Sequence, residues 1–186
     1  YALNPDRDLE KIQVLEPVPA VSREGKTAFL PGHRWRDRHD FLDVVTHQSD
    51  IHYVSPDGST FIPKCDDLKR AFSLRPAVTG QKFYLADEFG QKTYSFDVSS
   101  DGTLSNPQLF AEEGELDVAV DSDGNVYIAA GQIFVYDKNG KQIDIIEVPE
   151  RPACMVFGGK DRKTLYITAR TSLYKVETRF SGRTII

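Results

Sequence analysis

One pattern of short strands recurs along this chain at intervals of about forty residues, and it limits the possible fold more than any other feature. The clearest copy runs Val118-Ala119-Val120-Asp121-Ser122-Asp123-Gly124-Asn125-Val126-Tyr127-Ile128-Ala129-Ala130. It continues through Ile133-Phe134-Val135-Tyr136-Asp137-Lys138-Asn139-Gly140 and ends at Ile143-Asp144-Ile145-Ile146. Three other stretches repeat the plan around Phe29, Tyr84 and Tyr166. With Tyr127 these give spacings of 55, 43 and 39 residues, the longest holding an insertion. The strands are rich in β-branched and aromatic residues, with Asp-Gly or Asn-Gly turns between them. No long stretch places apolar residues at i, i+3, i+4 and i+7, so helices are not expected. A repeated four-stranded unit of roughly 40–45 residues has the size of one blade of a β-propeller.

The expected fold is therefore all-β, a partial β-propeller of four-stranded antiparallel blades forming a single domain over residues 1–186. Residues 1–15 read as the outer half of one blade, with a fourth strand at Leu9-Glu10-Lys11-Ile12-Gln13-Val14. Full blades follow at 16–64, with a long loop at 32–49, then at 70–111 and 115–147. A last, incomplete blade occupies 152–186, and the pattern leaves open whether Thr184-Ile185-Ile186 adds its outer strand. An arc of this kind has two unpaired ends, so another chain or missing blades are expected to close it.

Composition excludes several functions. The chain carries 23 Lys plus Arg against 28 Asp plus Glu, a formal net charge of −5. That argues against a nucleic-acid partner, which needs a basic face to neutralise phosphates. No apolar run approaches the roughly 20 residues of a membrane-spanning helix, so no membrane partner is expected and the chain reads as soluble. The start lacks both a signal pattern and an initiator Met, which reads as a processed or truncated chain and leaves the compartment open. Cys65 and Cys154 lie far apart and outside any metal-binding spacing, and both read as small buried or half-buried thiols.

Within this frame, Glu115 through Ala130 resembles the gluconolactonase/regucalcin-like (senescence marker protein) family. So do Val148-Pro149-Glu150-Arg151-Pro152-Ala153-Cys154-Met155-Val156-Phe157-Gly158-Gly159, Lys163 through Ala169, and Asp97 through Asn106. The resemblance runs from about Asp50 to Glu177 and implies the last four blades of a six-bladed propeller. It also implies hydrolysis of small lactones or similar esters at one divalent cation, calcium or zinc, at the mouth of the central channel. Carboxylate and Asn side chains at the starts of the innermost strands would hold that cation. Carried over residue by residue, the ligand positions fall on Pro17, Phe72, Leu116 and Cys154, which makes an apolar mouth. Asp117 lies one residue beyond its ligand position. It is the remaining candidate for a metal ligand and catalytic carboxylate, if an irregular strand start returns its side chain to the channel.

Other candidates lie in loops expected to overhang the same mouth. The stretch Gly32-His33-Arg34-Trp35-Arg36-Asp37-Arg38-His39-Asp40 suits a lid for an anionic or sugar-like ligand, with Arg for carboxylate and Trp for stacking. It equally suits a self-paired surface or interface loop. A metal site from His33, Asp37 and His39 matches no strong motif. Glu88 and Arg170 occupy the equivalent loops of other blades and read either as ligand-facing or as solvated charges, while His47 and His52 read as structural. The Asp-Gly and Asn-Gly pairs at 57–58, 101–102, 123–124 and 139–140 are expected to be hairpin turns. Two functions remain: a non-catalytic binding or structural propeller with a degenerate metal site, and a metal-dependent hydrolase of small lactones or esters.

Overall fold

The structure is a computed structural model that describes residues 9–14, 53–54, 60–61, 68–69, 73, 80–100 and 104–183. Every regular element among these residues is a β-strand, and every pairing is antiparallel. The all-β expectation is met.

Strands β1 (Glu10–Val14), β2 (Tyr53–Val54) and β3 (Thr60–Phe61) come first. Then follow β4 (Lys82–Asp87), β5 (Lys92–Val98) and β6 (Leu104–Ala111), which form one sheet in that order. Strands β7 (Asp117–Val120), β8 (Val126–Ala130), β9 (Gln132–Tyr136) and β10 (Gln142–Ile146) form the next sheet, again in chain order. The last sheet holds β11 (Pro152–Gly158), β12 (Thr164–Ala169) and β13 (Ser172–Glu177), with β1 on its outer edge.

The turns follow from their residues. Gly124 and Gly140 have φ of 89° and 81°, a conformation that costs other residues but not glycine. Asp121 and Asp137 organise these two turns by accepting backbone N–H groups, from Asp123 and Asn125 in one case and from Asn139 and Lys141 in the other. These Asp-x-x-Gly turns therefore use their carboxylates on their own backbone. The Asp-Gly pairs at 57–58 and 101–102 lie outside the described residues.

The sheets pack face to face. Tyr84 and Ala86 of β4 meet Val118, Val126 and Ile128 of the next sheet. The far side of that sheet presents Tyr127, Ile133 and Val135 to Met155, Leu165 and Ile167. Tyr127 is fully buried and meets Phe157 edge-on, with ring centroids 5.3 Å apart.

Residues 9–14 depart from expectation. They do form an outer strand, but the sheet they complete is the last one: Glu10 pairs with Lys175 and Val14 with Ser172. The pattern of an outer strand says that it needs a neighbour and not which sheet supplies it. Residues 181–183 turn back toward β7, where Asp121 and Gly182 form an isolated bridge. Arg183 donates its N–H to the Val120 carbonyl at 2.9 Å.

Candidate functional site

Strands β7 and β11 both begin at one end of the stacked sheets, and Asp117 is the first residue of β7. Its backbone is in register with Ala129, and the preceding Leu116 N–H donates to the Ala129 carbonyl at 3.1 Å. The Asp117 side chain is 4 % exposed and reaches to both neighbours. Its Oδ1 accepts the Ser73 hydroxyl at 2.7 Å and the Val118 N–H at 2.9 Å. Its Oδ2 accepts the Met155 N–H of β11 at 2.6 Å. One carboxylate thus joins three segments that are 44 and 38 residues away from each other's partner in sequence. A buried carboxylate needs such donors, because an unpaired one is costly out of water.

The rim of this end carries a set of polar contacts that sequence reasoning missed. Glu115, just before β7, is nearly buried and accepts the Gly131 N–H at 3.1 Å. It also forms an ion pair with Arg151, whose Nε lies 3.2 Å from Oε2. Glu150 accepts the hydroxyl of Ser172, the Thr171 N–H at 3.0 Å and the Tyr174 hydroxyl at 3.1 Å. These donors, the Ser172 hydroxyl foremost, hold the Glu150 carboxyl down to about 2. The signal in the sequence was Glu150-Arg151 immediately before an innermost strand, but the partners lie far along the chain: Glu115 before β7, Thr171 in the β12–β13 turn, and Ser172 and Tyr174 on β13.

The candidate residues are distributed as follows. Glu88 is half-buried in the turn between β4 and β5, and Arg170 is exposed in the turn between β12 and β13 with φ of 39°. Asp87, beside Glu88, is fully buried and accepts the N–H groups of Lys69 and Gly90 at 2.8 and 2.9 Å. Leu116 is half-buried; Cys154, expected as a buried or half-buried thiol, is instead exposed, because its position on β11 opposite Thr168 turns it to the face away from the neighbouring sheet. His33, Arg34, Trp35, Arg36, Asp37 and His39 lie outside the described residues, as do Pro17 and Phe72. Among the described residues no group of three His, Cys, Asp or Glu side chains is placed to hold a metal ion. Among them, too, no helix is long and apolar enough to cross a membrane.

Comparison with known proteins adds the family context. The sequence profile of the SMP-30/gluconolactonase/LRE-like region matches residues 37–171. The chain is 25 % identical over 123 residues to lactonase drp35 of Staphylococcus haemolyticus, a match covering 60 % of this chain and 38 % of that protein. It superposes on regucalcin, a calcium-binding protein from Agrobacterium tumefaciens, with a TM-score of 0.64 and 20 % identity. That match covers 76 % of this chain and 56 % of the other. A gluconolactonase from Xanthomonas campestris gives a TM-score of 0.56 at 20 % identity, covering 69 % and 44 % of the two chains. The chain thus spans between about two fifths and just over half of the length of these relatives, and the structural likeness is one of fold.

Proposed function

The chain belongs to the SMP-30/gluconolactonase/LRE-like family, and on that premise we propose that it is part of a gluconolactonase-like β-propeller that binds or supports rather than hydrolyses. In this reading the sheets are blades of a ring that extends beyond them, as in a six-bladed propeller, and other blades or another chain complete it. Asp117, one residue beyond the family's ligand position, holds the innermost strands together instead of a metal.

The observation that carries this reading is the state of the Asp117 carboxylate. Both oxygens already accept protein donors, from Ser73, Val118 and Met155. A calcium ion takes six to eight oxygen ligands, and a catalytic zinc takes three protein ligands plus water. The donor set around Asp117 fits neither. Leu116 offers no donor atom, and the Cys154 thiol is a soft ligand unsuited to calcium. In this reading Asp117 is a structural carboxylate and holds no metal. The loop bearing His33, Arg34, Trp35, Arg36 and Asp37, with Glu88 and Arg170, is the proposed contact surface for a sugar-like or lactone ligand.

The second reading, metal-dependent hydrolysis of small lactones, is favoured by one observation: a curated relative across 123 residues carries the name lactonase. A thermal melt of the chain with excess calcium, and then zinc, separates the two. Metal at about 100 times its dissociation constant adds about 2.7 kcal/mol to the native state. That raises the midpoint by roughly 5–10 °C for a domain of this size. The proposed reading expects no shift and no turnover of gluconolactone. A shift of that size accompanied by turnover establishes the hydrolase instead.

A further inference from the structure

Along the innermost strands beyond Asp117, from Val118 and Met155 onward, lies a cavity of about 120 Å³. It forms where the ends of β7 and β11 meet the start of β4 and the returning segment 181–183. Its walls are mostly apolar, with Val118, Val120, Met155 and Phe157 among them, and Arg162 and Arg183 stand at its edge.

Arg183 is poorly provided for. Its backbone N–H is held by Val120, but its guanidinium makes one hydrogen bond, from Nη1 to the Lys82 carbonyl at 3.1 Å. The guanidinium is half-buried, and desolvation pulls its pKa below the ordinary arginine value, with the nearby Asp121 charge opposing the shift. Asp121 does not pair with it. The Asp121 oxygens accept the N–H groups of Asp123 and Asn125, the Asn125 amide and the Tyr127 hydroxyl. The buried amide oxygen of Gln81, another wall residue, has no donor; being an acceptor it would take a water or a ligand N–H or O–H, and the carboxylate falls to Arg183 alone. A planar fork with four remaining N–H donors beside an apolar chamber matches a carboxylate carried on an apolar body. A phosphate dianion fits less well, because the apolar walls would strip its water without replacing it.

We propose that this cavity is a binding site for a small monocarboxylate with an apolar or aromatic body, anchored by Arg183. The anchor is Arg183 and not Asp117, although Val118 and Met155, whose N–H groups Asp117 accepts, also line the cavity.

The test is calorimetric titration of the full chain with phenylacetate, its neutral analogue phenylacetamide, and inorganic phosphate. Phenylacetate is expected to bind at least tenfold more tightly than either of the other two. Arg183→Gln should weaken phenylacetate at least tenfold and leave phenylacetamide unchanged, with the thermal midpoint checked to confirm folding. Val120→Phe, which fills the chamber and keeps the arginine, should abolish binding of both organic probes. Equal affinity for phenylacetate and phenylacetamide overturns the anchor role. Phosphate binding as tight as phenylacetate overturns the ligand class. Phenylacetate binding that both variants leave intact overturns the location, as does the absence of phenylacetate binding to the unaltered chain.

Discussion

Asp117 shows how one side chain can serve the fold where the family pattern suggests chemistry. Removing it leaves the Ser73 hydroxyl and the Met155 N–H without their acceptor in a buried place. Asp117→Ala should therefore cost about 3 kcal/mol in urea unfolding, and Ser73→Ala about 1.5 kcal/mol. Because they share one hydrogen bond, the double variant should fall short of the sum by about 1 kcal/mol. Strict additivity would mean that the bond contributes nothing. Added EDTA should leave the unaltered chain's stability unchanged, and a fall in EDTA would return Asp117 to the metal. Glu150 supplies a second residue-level prediction. Its carboxyl is held at about 2, below its ordinary value of 4.5, by Ser172, Thr171 and Tyr174. A folded-state value below the unfolded one stabilises the protein above the unfolded value. That contribution is lost as pH falls from about 4.5 through 2. Stability should drop across that window, and Glu150→Gln should flatten the drop while lowering stability at neutral pH. Identical acid limbs in the two proteins would remove Glu150 from the account.

At the scale of elements, the strands were legible and their neighbours were not. Val126–Ala130, Gln132–Tyr136 and Gln142–Ile146 fall where the clearest repeat copy places them, and the repeat's aromatics Tyr84 and Tyr166 lie on β4 and β12. That signal is local, since each strand carries its own alternation and its own turns. The partner of β1 is not local: it lies about 160 residues away, and an outer strand carries no mark of which edge it will complete. The Asp117, Glu115 and Glu150 contacts were hidden for the same reason, because each joins residues from separate strands. The β1–β13 pairing predicts a definite exchange pattern. Deleting residues 1–14 uncovers the β13 edge, so its amides should exchange with solvent about tenfold or more faster. Amides of β7 and β8, which lie in another sheet, should keep their protection. Unchanged exchange in β13 would place β1 elsewhere.

For the molecule as a whole, the stacking of sheets leaves one face without a described layer over it. The last sheet packs Met155, Leu165, Ile167, Tyr174 and Val176 against its neighbour. Strand alternation turns Cys154, Val156, Tyr166 and Thr168 the other way, in register with one another across β11 and β12. Val156 is 56 % exposed and Cys154 is exposed as well. Tyr166 repeats Tyr84 and Tyr127 in sequence, yet it is half-exposed where they are buried. Among the described residues, an aromatic that belongs between two sheets has one of them. Apolar faces of this kind seek a cover, so this chain on its own should associate through the open face. Sedimentation equilibrium under reducing conditions, which prevents linkage through Cys154, should give masses above 20.9 kDa that rise with concentration. Thr168→Glu sets a carboxylate in the middle of that face and should weaken association at least tenfold, since burying an unpaired charge there is costly. A mass of 20.9 kDa at every concentration would mean that the face is already covered within one chain. The need for further blades or a partner to complete the ring would then fall away.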